Sequence, residues 1–207
     1  MIKIFLWVAM PWLLFAIGCS SNSADPSPKI VRWTSFPVEL YVSPSVSADA
    51  GTTADLAQAI DFWESKAGQK LFNFKGSWTG DSANSNNLVT GTLNNPTDVL
   101  VNLFYFPGTW PFDAHYAGKT AVHYEDSTIQ HSLIMMNIGM NFCHGDCAAD
   151  SDLGAVSERR AITHELGHFL GLPHDSDTSN IMFPTIQPGA DLSTQTVDVN
   201  LLRALTD

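Results

Sequence analysis

Basic residues are scarce in this chain: 10 Lys and Arg stand against 21 Asp and Glu over 207 residues, a formal charge of −11. A cationic footprint is missing, so no nucleic-acid partner is expected. Charged residues make up only 15% of the sequence, a proportion that fits a secreted or envelope protein better than a cytosolic one. No internal repeat is present, and the length is too short for two ordinary domains. What is plentiful is core material. Hydrophobic residues reach 44%, with 12 Phe and 6 Trp, which argues against disorder.

No apolar run is long enough to span a bilayer comfortably. Ile4 to Ile17, 14 residues behind Lys3, suits the h-region of a signal peptide instead. It ends Ala16-Ile17-Gly18-Cys19. Small residues before a cysteine resemble a bacterial lipobox, in which cleavage leaves Cys19 as a lipidated N-terminus. Ala16 stands where Leu is usual, and Ala16 and Gly18 also suit an ordinary secretory peptidase. The expected organisation is a signal peptide over 1–18, a polar tether over 19–29 (Ser20 to Pro28 carries no apolar period) and one domain over 30–207. A lipidated Cys19 implies anchoring to a membrane of the cell envelope. In a Gram-negative host Ser20 points to the outer membrane, and secretion is the alternative. With Cys19 lipidated, Cys143 and Cys147 remain as an even pair in an oxidising compartment, which predicts a small disulfide loop.

Periodicity places strands at Phe36–Val42, Leu71–Phe74, Val99–Phe106, Thr120–Tyr124 and Ile129–Ile138, the last two joined by a turn at Glu125-Asp126-Ser127. Gly76 to Asn95 reads as a long loop. Helices are expected at Thr52–Ala67, where Thr52 and Asp55 form a capping box, and at about Ala155–Leu170, stopped by Gly171. A third is expected at about Thr194–Leu205 behind Ser193 as N-cap. Strands mixed with three main helices make one α/β-type (α+β) domain.

The chemistry concentrates in His164-Glu165-Leu166-Gly167-His168-Phe169-Leu170-Gly171-Leu172-Pro173-His174. On a helix, residues four apart lie on one face about 6 Å along the axis. His164 and His168 can then bind one Zn²⁺ at about 2.0–2.1 Å each. Glu165 sits beside the first ligand, placed to take a proton from water activated there rather than to bind metal. Gly171 allows a sharp exit from the helix that brings His174 back as third ligand. Three protein ligands leave one position open, the catalytic arrangement. Five fixed residues over this span arise by chance with a probability on the order of 10⁻⁴ or less.

This stretch resembles the metzincin family of zinc metallopeptidases, and within it the matrixin-like group, whose pattern is H-E-x-x-H-x-x-G-x-x-H followed by a Met-turn. Ser179-Asn180-Ile181-Met182-Phe183-Pro184 supplies that turn. The resemblance implies a twisted, mostly parallel sheet of about five strands. It makes Met182 a packing floor beneath the metal and Gly118 to Tyr124 an edge strand along which a peptide substrate lies extended. Pro184 to Pro188 would wall the pocket beyond the cleaved bond. One catalytic zinc is implied, and Ca²⁺ is left open because the calcium and second-zinc loops of vertebrate matrixins are not recognisable.

No segment resembles the latency pro-domain, and no Tyr follows Met182 closely enough to add a ligand. His115, His123 and His131 recur every eight residues but lack the flanking Asp pattern of a structural zinc site, so they read as surface or core residues. His144 and Asp146, between the paired cysteines, are a second metal candidate beside the disulfide reading. The activity implied is peptide-bond hydrolysis. Two other readings use the same residues: a zinc-retaining binding or adhesion lipoprotein, against which Glu165 speaks, and a hydrolase of cell-wall peptide amides.

Overall fold

A computed structural model describes residues 30–78, 101–145, 147, 154–186 and 191–207. The signal peptide, Cys19 and the tether lie outside the described residues. So do most of the Gly76–Asn95 loop, Val99, Leu100, Asp146 and Pro188. Among the described residues no helix is long and apolar enough to cross a membrane.

Five strands form one sheet: β1 (Val38–Val42), β2 (Phe72–Ser77), β3 (Leu103–Tyr105), β4 (Gly118–Glu125) and β5 (Thr128–Met136). Their order is β2-β1-β3-β5-β4. All neighbours are parallel except β4, which runs antiparallel to β5 along the margin of the sheet. The β4–β5 register slips between His123 and Tyr124, and the connecting residues Asp126 and Ser127 take positive φ.

Alternation along the central strands fills both faces. Leu103, Ile134 and Met136 enter the main core, whereas Phe104, Leu133 and Met135 enter a second cluster with Phe106, Trp110 and Phe112 on the other side. This two-sided burial explains why these segments read as continuous apolar runs.

The helices are α1 (Pro44–Ala48), α2 (Ala50–Ala67), α3 (Glu158–Leu170) and α4 (Val199–Thr206). Leu56, Ile60 and Trp63 of α2 and Phe169 of α3 pack with Leu40, Phe72 and Leu202 in the main core. Trp63 donates its indole N–H to the Thr163 carbonyl at 2.8 Å, fixing α2 against α3. Burying Phe169 alone is worth about 1.5–3 kcal/mol.

Several boundaries differ from those expected. The cap of α2 is Asp49, whose carboxylate accepts from the Thr52 N–H at 2.9 Å. Asp55 is therefore no capping partner; it is buried, and its carboxylate accepts from the Gly145 N–H at 3.1 Å. Helix α3 begins at Glu158 behind Ser157 as N-cap, because Val156–Ser157 (β7) pairs in parallel with Phe142–Cys143 (β6) and holds the preceding backbone extended. The last helix starts after Asp198, not at Thr194. Ser193 belongs to a short 3₁₀ turn capped by Asp191. Thr196 then bridges to Asn180, which a continuous helix would forbid. Strand β1 starts at Val38, and β2 runs on to Ser77.

Candidate active site

Helix α3 carries His164, Glu165 and His168 inside the protein, each under one-tenth exposed. The helix ends at Gly171, whose φ of 101° is a left-handed value that favours glycine. Gly171 N–H donates to the His168 carbonyl and Leu172 N–H to the Gly167 carbonyl, both at 2.9 Å. The chain thereby reverses and returns His174 to the two helical histidines. The three ring centroids lie 4.7–5.3 Å apart.

Tautomers follow from the hydrogen bonds. His164 Nδ1 lies 2.8 Å from the Ile181 carbonyl, and His168 Nδ1 lies 2.8 Å from the Leu172 carbonyl. A carbonyl only accepts, so both Nδ1 atoms carry hydrogen and both Nε2 atoms present lone pairs. His164 Nε2 is buried without a hydrogen-bond partner. His168 Nε2 stands 3.1 Å from His174 Nε2. An orphaned buried nitrogen beside two more converging nitrogens is a donor set suited to a metal cation. Burial, with His168 adding to it, holds His164 well below the usual imidazole range. Burial and His174 bring His168 down to about 4, and burial lowers His174. All three rings are neutral near pH 7, the form a metal requires.

The turn below them is tied to the third histidine. Met182 N–H donates to Asn180 Oδ1 at 2.9 Å, and Asn180 Nδ2 donates to Asp175 Oδ2 at 2.8 Å. Asp175 N–H donates to the Met182 carbonyl at 3.0 Å. Met182 is buried against α3 at Gly167, where any β-carbon would overlap its sulfur.

Glu165 points at β4. Thr120 Oγ1 lies 2.5 Å from Glu165 Oε2. A β-carbon placed on Gly118 would sit 3.1 Å from Oε1. Neither contact was foreseen from the sequence, because no pattern in one strand announces which residue of another element it faces.

Cys143 and Cys147 form the expected disulfide, with Cα atoms 5.9 Å apart. The loop it closes sends His144 toward two buried carboxylates. His144 Nδ1 is 2.9 Å from Glu158 Oε2 and 3.1 Å from Asp55 Oδ2. Thr52 Oγ1 donates to Glu158 Oε2 at 3.0 Å, Tyr105 Oη donates to Glu158 Oε1, and Gly145 N–H donates to Asp55 Oδ1 at 3.1 Å. Each of the four carboxylate oxygens thus receives a hydrogen. The disulfide loop is thereby bonded to the N-terminal turns of both α2 and α3.

In the sequence Asp55 read as a capping-box partner of Thr52, and Glu158 was not singled out. Among the described residues, the groups able to gather three ligand atoms are His164/His168/His174 and Asp55/His144/Glu158. His115 is exposed beside Asp113, whereas His123 and His131 face each other across β4 and β5. His131 is buried, and burial together with His123 lowers it to about 4.

A family model described as Matrixin matches residues 45–206. No curated protein matches the chain.

Proposed function

The chain belongs to the matrixin family of zinc metallopeptidases, and from that membership we propose that it is an endopeptidase whose zinc is held by His164, His168 and His174 and whose general base is Glu165. The observation that carries this reading is the convergence of three neutral imidazoles next to a buried carboxylate on the same helix. Zinc bound there supplies Lewis acidity, which polarises a carbonyl and makes water more acidic.

The protein's own groups do the rest. The Ile181 and Leu172 carbonyls fix the ring orientations of His164 and His168. Glu165 accepts a proton from the attacking water and gives it to the departing amine. Strand β4 has an unpaired side among the described strands and receives the substrate backbone by strand addition. The sheet is well suited to this, because β4 is antiparallel to its neighbour and a substrate running antiparallel to β4 would extend an antiparallel ladder.

Residues 30–207 act as one catalytic domain, carried after a signal peptide (1–18) on a tether (19–29) that Cys19 anchors through lipid to the cell envelope. Secretion without lipid is the competing location, and the mass of the mature N-terminus separates the two.

The test of function is digestion of denatured casein and of purified peptidoglycan, each with and without chelator, by the wild type and by Glu165→Gln. We expect chelator-sensitive casein cleavage that falls at least 10²-fold in the variant while zinc is retained. Cleavage of peptidoglycan alone would favour a cell-wall amidase. Absence of both activities in zinc-loaded protein would favour a binding lipoprotein. Wild-type rates in Glu165→Gln would remove Glu165 from the mechanism.

A further inference from the structure

We propose that Thr120, with Gly118 two residues before it, is a positioning residue for the Glu165 carboxylate, so that the strand receiving the substrate also aims the base. The inference rests on Glu165 acting as proposed above.

The Thr120 hydroxyl oxygen meets two acceptors of the same residue, Glu165 Oε2 at 2.5 Å and the Glu165 carbonyl at 3.1 Å. A hydroxyl has one hydrogen to give. The carboxylate oxygen is nearer and charged, and therefore takes it. That bond sets the rotation of the carboxylate about its last torsion, which is otherwise soft.

Gly118 completes the seat. A β-carbon there would lie 3.0 Å from Glu165 Cγ and 3.1 Å from Oε1, closer than side chains ordinarily approach. The two oxygens are thereby told apart. Oε2 is held by a hydroxyl, and Oε1 lies over the one position of the strand that has no side chain.

The geometry joins substrate binding to base placement. Residues two apart on a strand share a face, and Gly118 and Thr120 both meet Glu165 on α3. The backbone hydrogen-bonding direction lies in the plane of the sheet, across from that face. β4 is the outermost strand beyond β5 among the described strands. Alternate residues of an antiparallel strand turn their peptide groups away from the neighbour, so Gly118 and Thr120 offer theirs to a substrate while their side positions hold the base. A shift of β4 moves both together, which fixes the distance between the scissile bond and the carboxylate.

The test compares Thr120→Val, which keeps the shape and removes the hydroxyl, with Thr120→Ser, which keeps the hydroxyl, in the zinc-loaded mature protein. Thr120→Val should lose roughly ten- to a hundredfold in kcat, the range a hydrogen bond to a charged group supports. KM should stay within about twofold, since uniform binding is untouched, and zinc should remain at one per chain. Thr120→Ser should recover most of the rate. Equal rates in Thr120→Val and wild type, a loss confined to KM, or a serine variant as slow as the valine one would each overturn the proposal.

A second measurement does not depend on turnover. Thermal unfolding of Thr120→Val, Glu165→Ala and the double variant should give shifts that do not add, the double losing less than the sum. Additive shifts would overturn the Thr120–Glu165 coupling even if the wild type cleaved nothing. In that case the endopeptidase reading would fail separately, on the wild type's own inactivity.

Discussion

Replacing Gly167 with Ala sets two effects of known size against each other. Gly167 lies inside α3, where alanine is favoured over glycine by about 1 kcal/mol on backbone grounds. Propensity alone therefore predicts a more stable protein. The structure predicts the reverse. A β-carbon at Gly167 would overlap the Met182 sulfur, lie 2.8 Å from Trp63 Cζ2 and lie 3.0 Å from Met182 Cε. A methionine can bend aside, but Trp63 has no such freedom: it is fully buried and its indole N–H is bonded to Thr163. Overpacking of this kind costs about 1–3 kcal/mol. The net expectation is a loss of about 1 kcal/mol, or roughly 2–4 °C in melting temperature for a domain of this size. The damage should reach the metal as well. Met182 accepts from Asp175 N–H, so pushing Met182 away pulls on the segment that presents His174. Calorimetry of zinc-loaded wild type and Gly167→Ala, with a competition titration against a zinc chelator, measures both effects. A variant that melts at or above the wild-type temperature with unchanged zinc affinity would refute the packing argument.

Alkaline pH should loosen the disulfide loop. Burial pulls the His144 pKa down, but the hydrogen bond to Asp55 and the charges of Glu158, Asp55 and Asp49 raise it overall. Stability from a raised histidine is fully present below the ordinary 6.5 and is lost as pH rises through the folded-state value. Glu158, raised chiefly by burial, acts in the same direction from lower pH. Melting curves of wild type and His144→Gln from about pH 6 to 9 should therefore converge as pH rises, and a constant gap would contradict the ion pair.

Chelation should remove one zinc per chain and lower the melting temperature, because a ligand that binds only the folded state stabilises it. Alanine at His164, His168 or His174 should abolish that difference, as elemental analysis and melting with and without chelator would show. Reducing the Cys143–Cys147 bond should cost at most about 2–3 kcal/mol, given its short loop, and denaturant unfolding with and without reductant reads it.

The parts of this protein that repeat a local rule were legible in the sequence. His164 and His168 fall on one helical face by spacing alone, and Gly171 marks the exit because few residues tolerate its φ. Leu56, Ile60 and Trp63 announced the buried face of α2, and the apolar runs over Val99–Phe106 and Ile129–Ile138 marked the segments that carry β3 and β5. What escaped depended on partners far along the chain. Asp55 reads as a capping residue until the loop at His144 folds over it, 89 residues away. Glu158 is an unremarkable first-turn acid until Tyr105 and Thr52 bury it. The last helix was placed too early because Ser193 is a sound N-cap, and only the pairing of Thr196 with Asn180 shows why the helix waits for Asp198. Thr120 looks like any strand threonine, and its worth comes from Glu165, 45 positions later.

The register slip between β4 and β5 at His123 and Tyr124 sets a length scale for recognition. Up to that point the outer margin of the sheet keeps a regular repeat. Beyond it Gln130 of β5 has no register partner in β4, and the paired strands, β4 with them, twist more strongly, as at other bulges. A straight peptide docking alongside therefore matches β4 best from Gly118 to His123, about 20 Å at the usual rise per residue. Chains that need a longer matched stretch, including a second molecule of this protein laid margin to margin, lose their footing at the slip. The irregularity thus works as a ruler and as a guard against open-ended stacking of sheets.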